Sequence, residues 1–231
     1  MKCVQCGKKG NFRISAAGTV LCKEHFIHYV EKRITHGARE TGVFKGKRIG
    51  VAVSGGAKSS AALFVLQKIA LKRRCGLIAL TVGESGESEK LCSELRVKHI
   101  GVEARGNEGV MKALGRGAKK QGLDSLVTGH CLEDFVQEML SYCMLKKPEE
   151  MVRVTPDRFW GNRLNLRHPA PLFRLYETEV FEYAKFVGLP GARRKNREGL
   201  EKGLSEFMER VEKKHPGSKH KMLKSLLFLK A

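Results

Sequence analysis

An apolar, β-branched stretch, KRIGVAVS (47–54), meets two glycines and leads at once into a helix-forming run, SSAALFVLQKIALKRR (59–74). Ile49, Val51 and Val53 give the strand its character, and Ser59 or Ser60 is the expected cap of the helix. The alternation then repeats. GLIALTVG (76–83), IGVEA (100–104) and DSLVTGH (124–130) read as short buried strands. ESEKLCSELRVKH (87–99), NEGVMKALGRGAKKQG (107–122) and LEDFVQEMLSYCMLKK (132–147) read as helices between and after them. Short apolar strands separated by helices predict an α/β fold: a doubly wound, mostly parallel sheet covered on both faces.

The flanks differ from this centre. CVQCGKKGNFRISAAGTVLCKEH gives Cys3-x2-Cys6, a fifteen-residue spacer, then Cys22-x2-His25. Two such pairs aim four side chains at one ion, which predicts a structural zinc knuckle with Cys3, Cys6, Cys22 and His25 as ligands and His28 as a weaker alternative. FRISAAGTVL alternates around a glycine and reads as a hairpin. Lys8, Lys9, Arg13 and Lys23 make the knuckle basic. A helix, FIHYVEKRITHGARE, follows. After residue 147, VRVTPDRFWGNRLNLRHPAPLFRL is expected to hold an edge strand and a loop. YETEVFEYAKFVGLPG is a helix stopped at Gly188 and Pro190, and the tail from Ala192 reads as two basic helices broken at HPGS. The expected divisions are a knuckle (1–28), a linker helix (29–46), the α/β domain (47–190) and a basic helical tail (191–231).

Lys and Arg number 44 against 24 Asp and Glu, a net charge of +20. Such an excess over a folded chain points to a polyanionic partner, nucleic acid before membrane. No apolar run is long enough to span a bilayer, and MKCVQCGKKG lacks a signal region, so a soluble cytoplasmic protein is expected. Seven cysteines, an odd number, argue against a disulfide framework. Cys75, Cys92 and Cys143 are expected to pack in the core.

The Gly-rich turn carries the chemistry. As a Walker-type loop it fails, because Ala52 and Ala57 fall where glycines are required. Ser54, Gly55, Gly56, Ala57, Lys58 and Ser59 fit the SGG-x-D-S pattern instead, except that Lys58 replaces the Asp. The glycines let amides approach a pyrophosphate at a helix N-terminus. Together with the knuckle, TGHCLEDFVQEML (128–140), APLFRLYETEVFEYAKFVGLP (170–190) and HPGSKHKMLKSL, this order resembles the PP-loop tRNA 2-thiolation proteins over nearly the whole chain. The resemblance implies an ATP-binding PP-loop domain, a tRNA partner, and adenylation of a base carbonyl followed by attack of sulfur. It places Ser54, Gly55, Gly56, Lys58, Ser59, Ser60, Gly129, His130 and Asp134 at the nucleotide, with Mg²⁺ as a possible companion.

The departures from that family fall on catalysis. A Lys cannot ligate Mg²⁺ as the family's Asp does. The family's C-x2-C pair before the GH segment, its later Cys and its second, C-terminal zinc finger have no counterpart. An iron–sulfur cluster, which needs converging thiolates, is therefore not expected. Cys131, in place of the family's Asn, is the candidate nucleophile, with core packing as the competing and default reading. Glu133 and Asp134 either hold a metal or cap the following helix. The resulting expectation is an RNA-binding protein derived from thiolation enzymes, without sulfur transfer. The alternative is an active ATP-dependent tRNA-modifying enzyme with an external sulfur donor. RNA contacts are expected at Arg193, Arg194, Lys195, Arg197, Lys213, Lys214, Lys219 and Lys221. Candidate partners are tRNA or another structured RNA, the ribosome, and a second copy of the chain.

Overall fold

The knuckle opens the chain. β1 (Phe12–Arg13) pairs antiparallel with β2 (Val20–Leu21), and α1 (Lys23–Glu40) starts directly after Cys22. The computed structural model describes residues 1–14, 18–83, 86–106, 108–161, 164–191 and 198–228. Phe12 of the hairpin lies 4.6 Å from both Phe26 of α1, tilted, and Phe186 of a later helix, edge to face, so the knuckle is keyed to the main body through aromatic rings.

The main body alternates as the periodicity predicts. β3 (Ile49–Ala52), α2 (Ala57–Arg73), β4 (Leu77–Val82), α3 (Gly86–Glu94), β5 (Lys98–Val102), α4 (Val110–Lys120), β6 (Ser125–Val127) and α5 (Leu132–Met144) follow in turn. The four strands form one parallel sheet in the order β5-β4-β3-β6. Val51, Ala79, Leu80 and Leu126 are fully buried in it. α2 is apolar around most of its girth because it lies between the sheet, α1 and α7 (Glu177–Val187).

The chain steps outward from β3 to β4 and β5, then returns to place β6 on the other side of β3. The direction of winding therefore reverses between β3 and β6, and the carboxyl ends of those two strands open a crevice where ligands of doubly wound sheets bind. The two segments that follow these strands are the Ser54–Ser59 turn and Gly129-His130.

Two local expectations change. α2 begins at Ala57 with Gly56 in the cap position, so Ser59 sits inside the first turn; its hydroxyl donates to the Gly56 carbonyl at 3.0 Å. The edge strand expected after residue 151 is reduced to isolated bridges, because its prolines cannot donate to a ladder. It still runs beside β6: the Leu126 amide donates to Arg167 O at 2.8 Å and the Thr128 amide to Pro169 O at 2.9 Å.

After α6 (Pro148–Met151) and α7, the tail forms α8 (Gly199–Lys214) and α9 (Ser218–Phe228). Glu212 sets the corner between them. Its carboxylate accepts from the Gly217 amide (2.7 Å), the Lys219 amide (3.0 Å), the Ser218 hydroxyl (2.8 Å) and the Tyr176 hydroxyl (2.8 Å). This satisfies the first donors of α9 and ties the corner to the start of α7. Leu223 and Met208 bury against Phe135 and Phe173, so the tail is part of a second apolar core. Among the described residues, no helix is long and apolar enough to cross a membrane.

Candidate nucleotide cleft and metal centre

A cleft of about 690 Å³ opens at the carboxyl ends of β3 and β6. One wall is the turn from Ser54 to Ser59; the other carries His130, Phe159 and Trp160. Its volume is within the range of small-molecule sites.

Ser59 fixes the turn. Its hydroxyl accepts from the Ser54 amide at 3.1 Å and lies 3.3 Å from the Ser54 hydroxyl. Gly191 lies so close behind that a Cβ there would overlap Gly55 and Gly56, and its carbonyl accepts from the Ala57 amide at 3.1 Å. That first-turn amide is therefore committed within the protein. Gly129 permits the matching approach from β6, where a Cβ would lie 2.7 Å from the Ser59 nitrogen. Ser54, Gly55, Gly56, Lys58, Ser59, His130 and Asp134 all line the cleft. Ser60 and Gly129 do not: Ser60 is fully buried on α2, and Gly129 serves packing.

Lys58 is the central cation. Its ammonium donates to both oxygens of Asp134 at 2.8 and 2.9 Å and lies 3.4 Å from Glu177. Burial alone would lower the ammonium pKa, but the neighbouring Cys131 sulfur and the facing carboxylates of Asp134 and Glu177 outweigh it and raise it well above the usual lysine range. Asp134 works against burial in the same way and is held below the usual carboxylate range, chiefly by Lys58. Asp134 also accepts from the Cys131 amide at 2.7 Å and so closes the start of α5.

His130 stacks on Phe159 with ring centroids 3.6 Å apart, and Trp160 meets it edge-on at 5.8 Å. Burial pushes its imidazole down to about 4, so it is neutral near pH 7.

Several expected roles are corrected. Cys131 is fully buried, and burial followed by Asp134 pushes its thiol well up, so it offers no nucleophilic thiolate to the cleft. Glu133 has protein partners where a metal was considered: it accepts from Lys219 at 3.0 Å and from the Glu177 amide at 2.8 Å. Lys219, expected on an RNA surface, is 2% exposed and locked to Glu133 and Glu209. Lys213, Lys214 and Lys221 are exposed; Arg193, Arg194, Lys195 and Arg197 lie outside the described residues. Cys92 is buried and Cys75 partly so, but Cys143 is exposed on α5, where its thiol faces the Met151 sulfur. Sequence reasoning missed Glu177, Gln137, Phe159 and Trp160 as cleft residues. Only the acidic start of α7, YETE, carried any signal of this.

At the N-terminus, the ligand atoms of Cys3, Cys6, Cys22 and His25 all lie within 4.8 Å of one another. Cys22 Sγ is 3.2 Å and Cys3 Sγ 3.5 Å from His25 Nδ1. Burial raises the Cys3 thiol, but amides of Cys22, Gln5 and Cys6 outweigh it and bring it down to about 6. His28, the weaker alternative, is exposed and outside this set. Three thiolates and an imidazole suit a tetrahedral ion and also meet the donor number of an iron–sulfur cluster.

Fold and cleft together define an α/β chain with a Gly-rich, phosphate-type turn at the switch point of a parallel sheet. No family model matches the chain. It is 28% identical over 261 residues to the tRNA-5-methyluridine(54) 2-sulfurtransferase of Pyrococcus horikoshii, covering 98% of this chain and 82% of that one. It is 26% identical over 219 residues to the cytoplasmic tRNA 2-thiolation protein 1 of Drosophila melanogaster, covering 80% of this chain and 64%, just under two thirds, of the relative. Its homologues are thus tRNA 2-thiolation proteins. The fold matches the U34-tRNA thiolase NcsA from Methanococcus maripaludis with a TM-score of 0.82 at 20% identity, over 99% of this chain and 88% of that one. That thiolase was solved with its 4Fe-4S cluster. The expectation that iron–sulfur chemistry is foreign to this chain is corrected accordingly: the fold houses such a cluster in a close structural match.

Proposed function

We propose that this chain is a tRNA 2-thiolation protein that uses ATP to activate a tRNA base and receives sulfur from a donor outside the chain. The observation that carries this reading is the cleft itself. A Gly-rich turn at a helix N-terminus faces an aromatic wall across a space sized for a nucleotide, at the switch point of the sheet. The names of the relatives support tRNA as the substrate class, and the name of one of them supports work in the cytoplasm.

The residues divide the work by chemistry. The turn amides other than those of Ser54 and Ala57, together with the Lys58 ammonium, receive phosphate oxygens. Neutral His130, held flat by Phe159, presents a ring nitrogen that exchanges hydrogen bonds without adding charge. Trp160, partly exposed on the cleft wall, offers a ring against which a base packs. Exposed lysines, including Lys213, Lys214 and Lys221, hold the phosphate backbone of the RNA. Cys131, the cysteine beside the cleft, is buried and protonated, which favours an external sulfur source.

The test is incubation with unmodified tRNA, ATP and sulfide, followed by nucleoside mass spectrometry and measurement of released AMP. Thionucleoside with matching AMP is expected. A well-folded protein that yields neither defeats the reading.

A second reading is tRNA binding without thiolation. It is favoured by one specific observation: Lys58 already neutralises Asp134 and Glu177, the acids nearest the turn. Tight tRNA binding without AMP release would select it.

A further inference from the structure

We propose that the Lys58 ammonium takes the place of a divalent cation in this cleft, so that the site binds the phosphates of a nucleotide without Mg²⁺. This rests on the nucleotide reading above and adds how the phosphate charge is neutralised.

Mg²⁺ needs oxygen ligands in a tight octahedral shell, and in protein sites it takes one or two of them from carboxylates. The carboxylates beside the turn are Asp134 and Glu177, and one ammonium engages both, at 2.8 and 3.4 Å. Asp134 has a second commitment, to the Cys131 amide at 2.7 Å. Glu133, the next acid along α5, is consumed by Lys219 and by the Glu177 amide. A metal ion placed among these groups would have to displace a lysine that is already bonded and would be repelled by its charge. The donor set beside the turn does not fit Mg²⁺.

The same arrangement fits a phosphate directly. Lys58 lies in the first turn of α2, where amides and the helix dipole already favour an anion. Its side chain keeps 27% of its surface exposed and lines the cleft. Three ammonium donors can be shared between two carboxylates and an incoming oxygen. Asp134 and Glu177 then act as positioning residues that aim the ammonium and hold it still. Glu87, Glu138 and Glu201, from α3, α5 and α8, also line the cleft and are the groups a Mg²⁺ ion would have to recruit instead.

The experiment is equilibrium dialysis of the full chain with labelled ATP, in Mg²⁺-depleted buffer without chelator and in excess Mg²⁺. Omitting chelator leaves any metal at Cys3, Cys6, Cys22 and His25 in place. The wild type is expected to bind ATP with dissociation constants within about threefold in the two buffers. Lys58→Gln should weaken metal-free binding by about tenfold to hundredfold, the scale of a charged hydrogen bond, while Lys58→Arg retains it. Circular dichroism confirms that each variant is folded. Wild-type binding about tenfold or more tighter with Mg²⁺ would overturn the inference and leave the nucleotide reading standing. So would a folded Lys58→Gln that binds like wild type without metal. ATP binding in neither buffer would defeat the nucleotide reading and this inference with it.

Discussion

Lys219 on α9 reaches Glu133 on α5 across 86 positions of sequence and pairs with it at 3.0 Å, with both side chains almost wholly out of water. Isolated charges at such depth would cost several kcal/mol each, so the pair exists only because its geometry is complete. Glu133 holds the Glu177 amide as well, which links the tail to the start of α7 and to the cleft.

Breaking this pair from one side strands a buried charge. Lys219→Ala is expected to lower unfolding free energy by about 3–5 kcal/mol in a urea titration. Lys221→Ala, on an exposed position of the same helix, should change it by less than about 0.5 kcal/mol. Equal small losses for the two variants would refute the buried-pair assignment.

His168 gives the chain an acid-sensitive core. It is fully buried, and burial pushes it down to about 4 from an ordinary 6.5, outweighing weak contacts to its own backbone and that of Gly161. The unfolded chain therefore binds more protons than the folded one between those values, so stability falls as pH drops through that window and is intact above it. Unfolding free energies from urea titrations at pH 7 and pH 5 should differ by about 2 kcal/mol from this residue alone. His168→Gln should remove this residue's share of the difference and leave that of His130, which burial also pushes down to about 4, even if it costs stability at both pH values. An unchanged pH dependence in a folded variant would count against it.

Removing a ligand of the metal centre should unsettle more than the knuckle, because Cys22 and Phe26 belong to the same core as α2 and the sheet. Cys22→Ser is expected to cost about 4 kcal/mol or more in thermal or urea unfolding. Elemental analysis and the visible absorption spectrum of the purified protein identify whether the donors carry zinc or iron with sulfide.

Exposed lysines of the tail should carry salt-dependent RNA affinity. Replacing Lys213, Lys214 and Lys221 together by Ala should leave stability near wild type and reduce the log–log salt slope of tRNA binding by about 2–3. A slope equal to wild type would move the RNA interface elsewhere on the molecule.

The sheet, its helices and the phosphate-type turn were legible because their signals are local: β-branched runs, helical periodicity and two adjacent glycines. The convergence of Cys3, Cys6, Cys22 and His25 was legible for the same reason, since spacing within one segment brings the four together. Lys58 was visible as a departure, but its pairing with Asp134, 76 residues away, was not. Charge reads the same in sequence whether it faces water or an acid in the core. That is why Lys219 resembled Lys221. The edge strand failed because a pattern of apolar residues says nothing about which amides its prolines remove from a ladder.

The corner that Glu212 closes changes what kind of tool the basic tail is. With the first donors of α9 satisfied and the corner bonded to Tyr176, Lys213 and Lys214 on one side and Lys221 on the other sit on a stiff bracket. Their backbones keep fixed separations, so little ordering entropy remains to be lost when a polyanion docks. Such a bracket works as a caliper: it responds to how far apart phosphates lie as well as to how many there are.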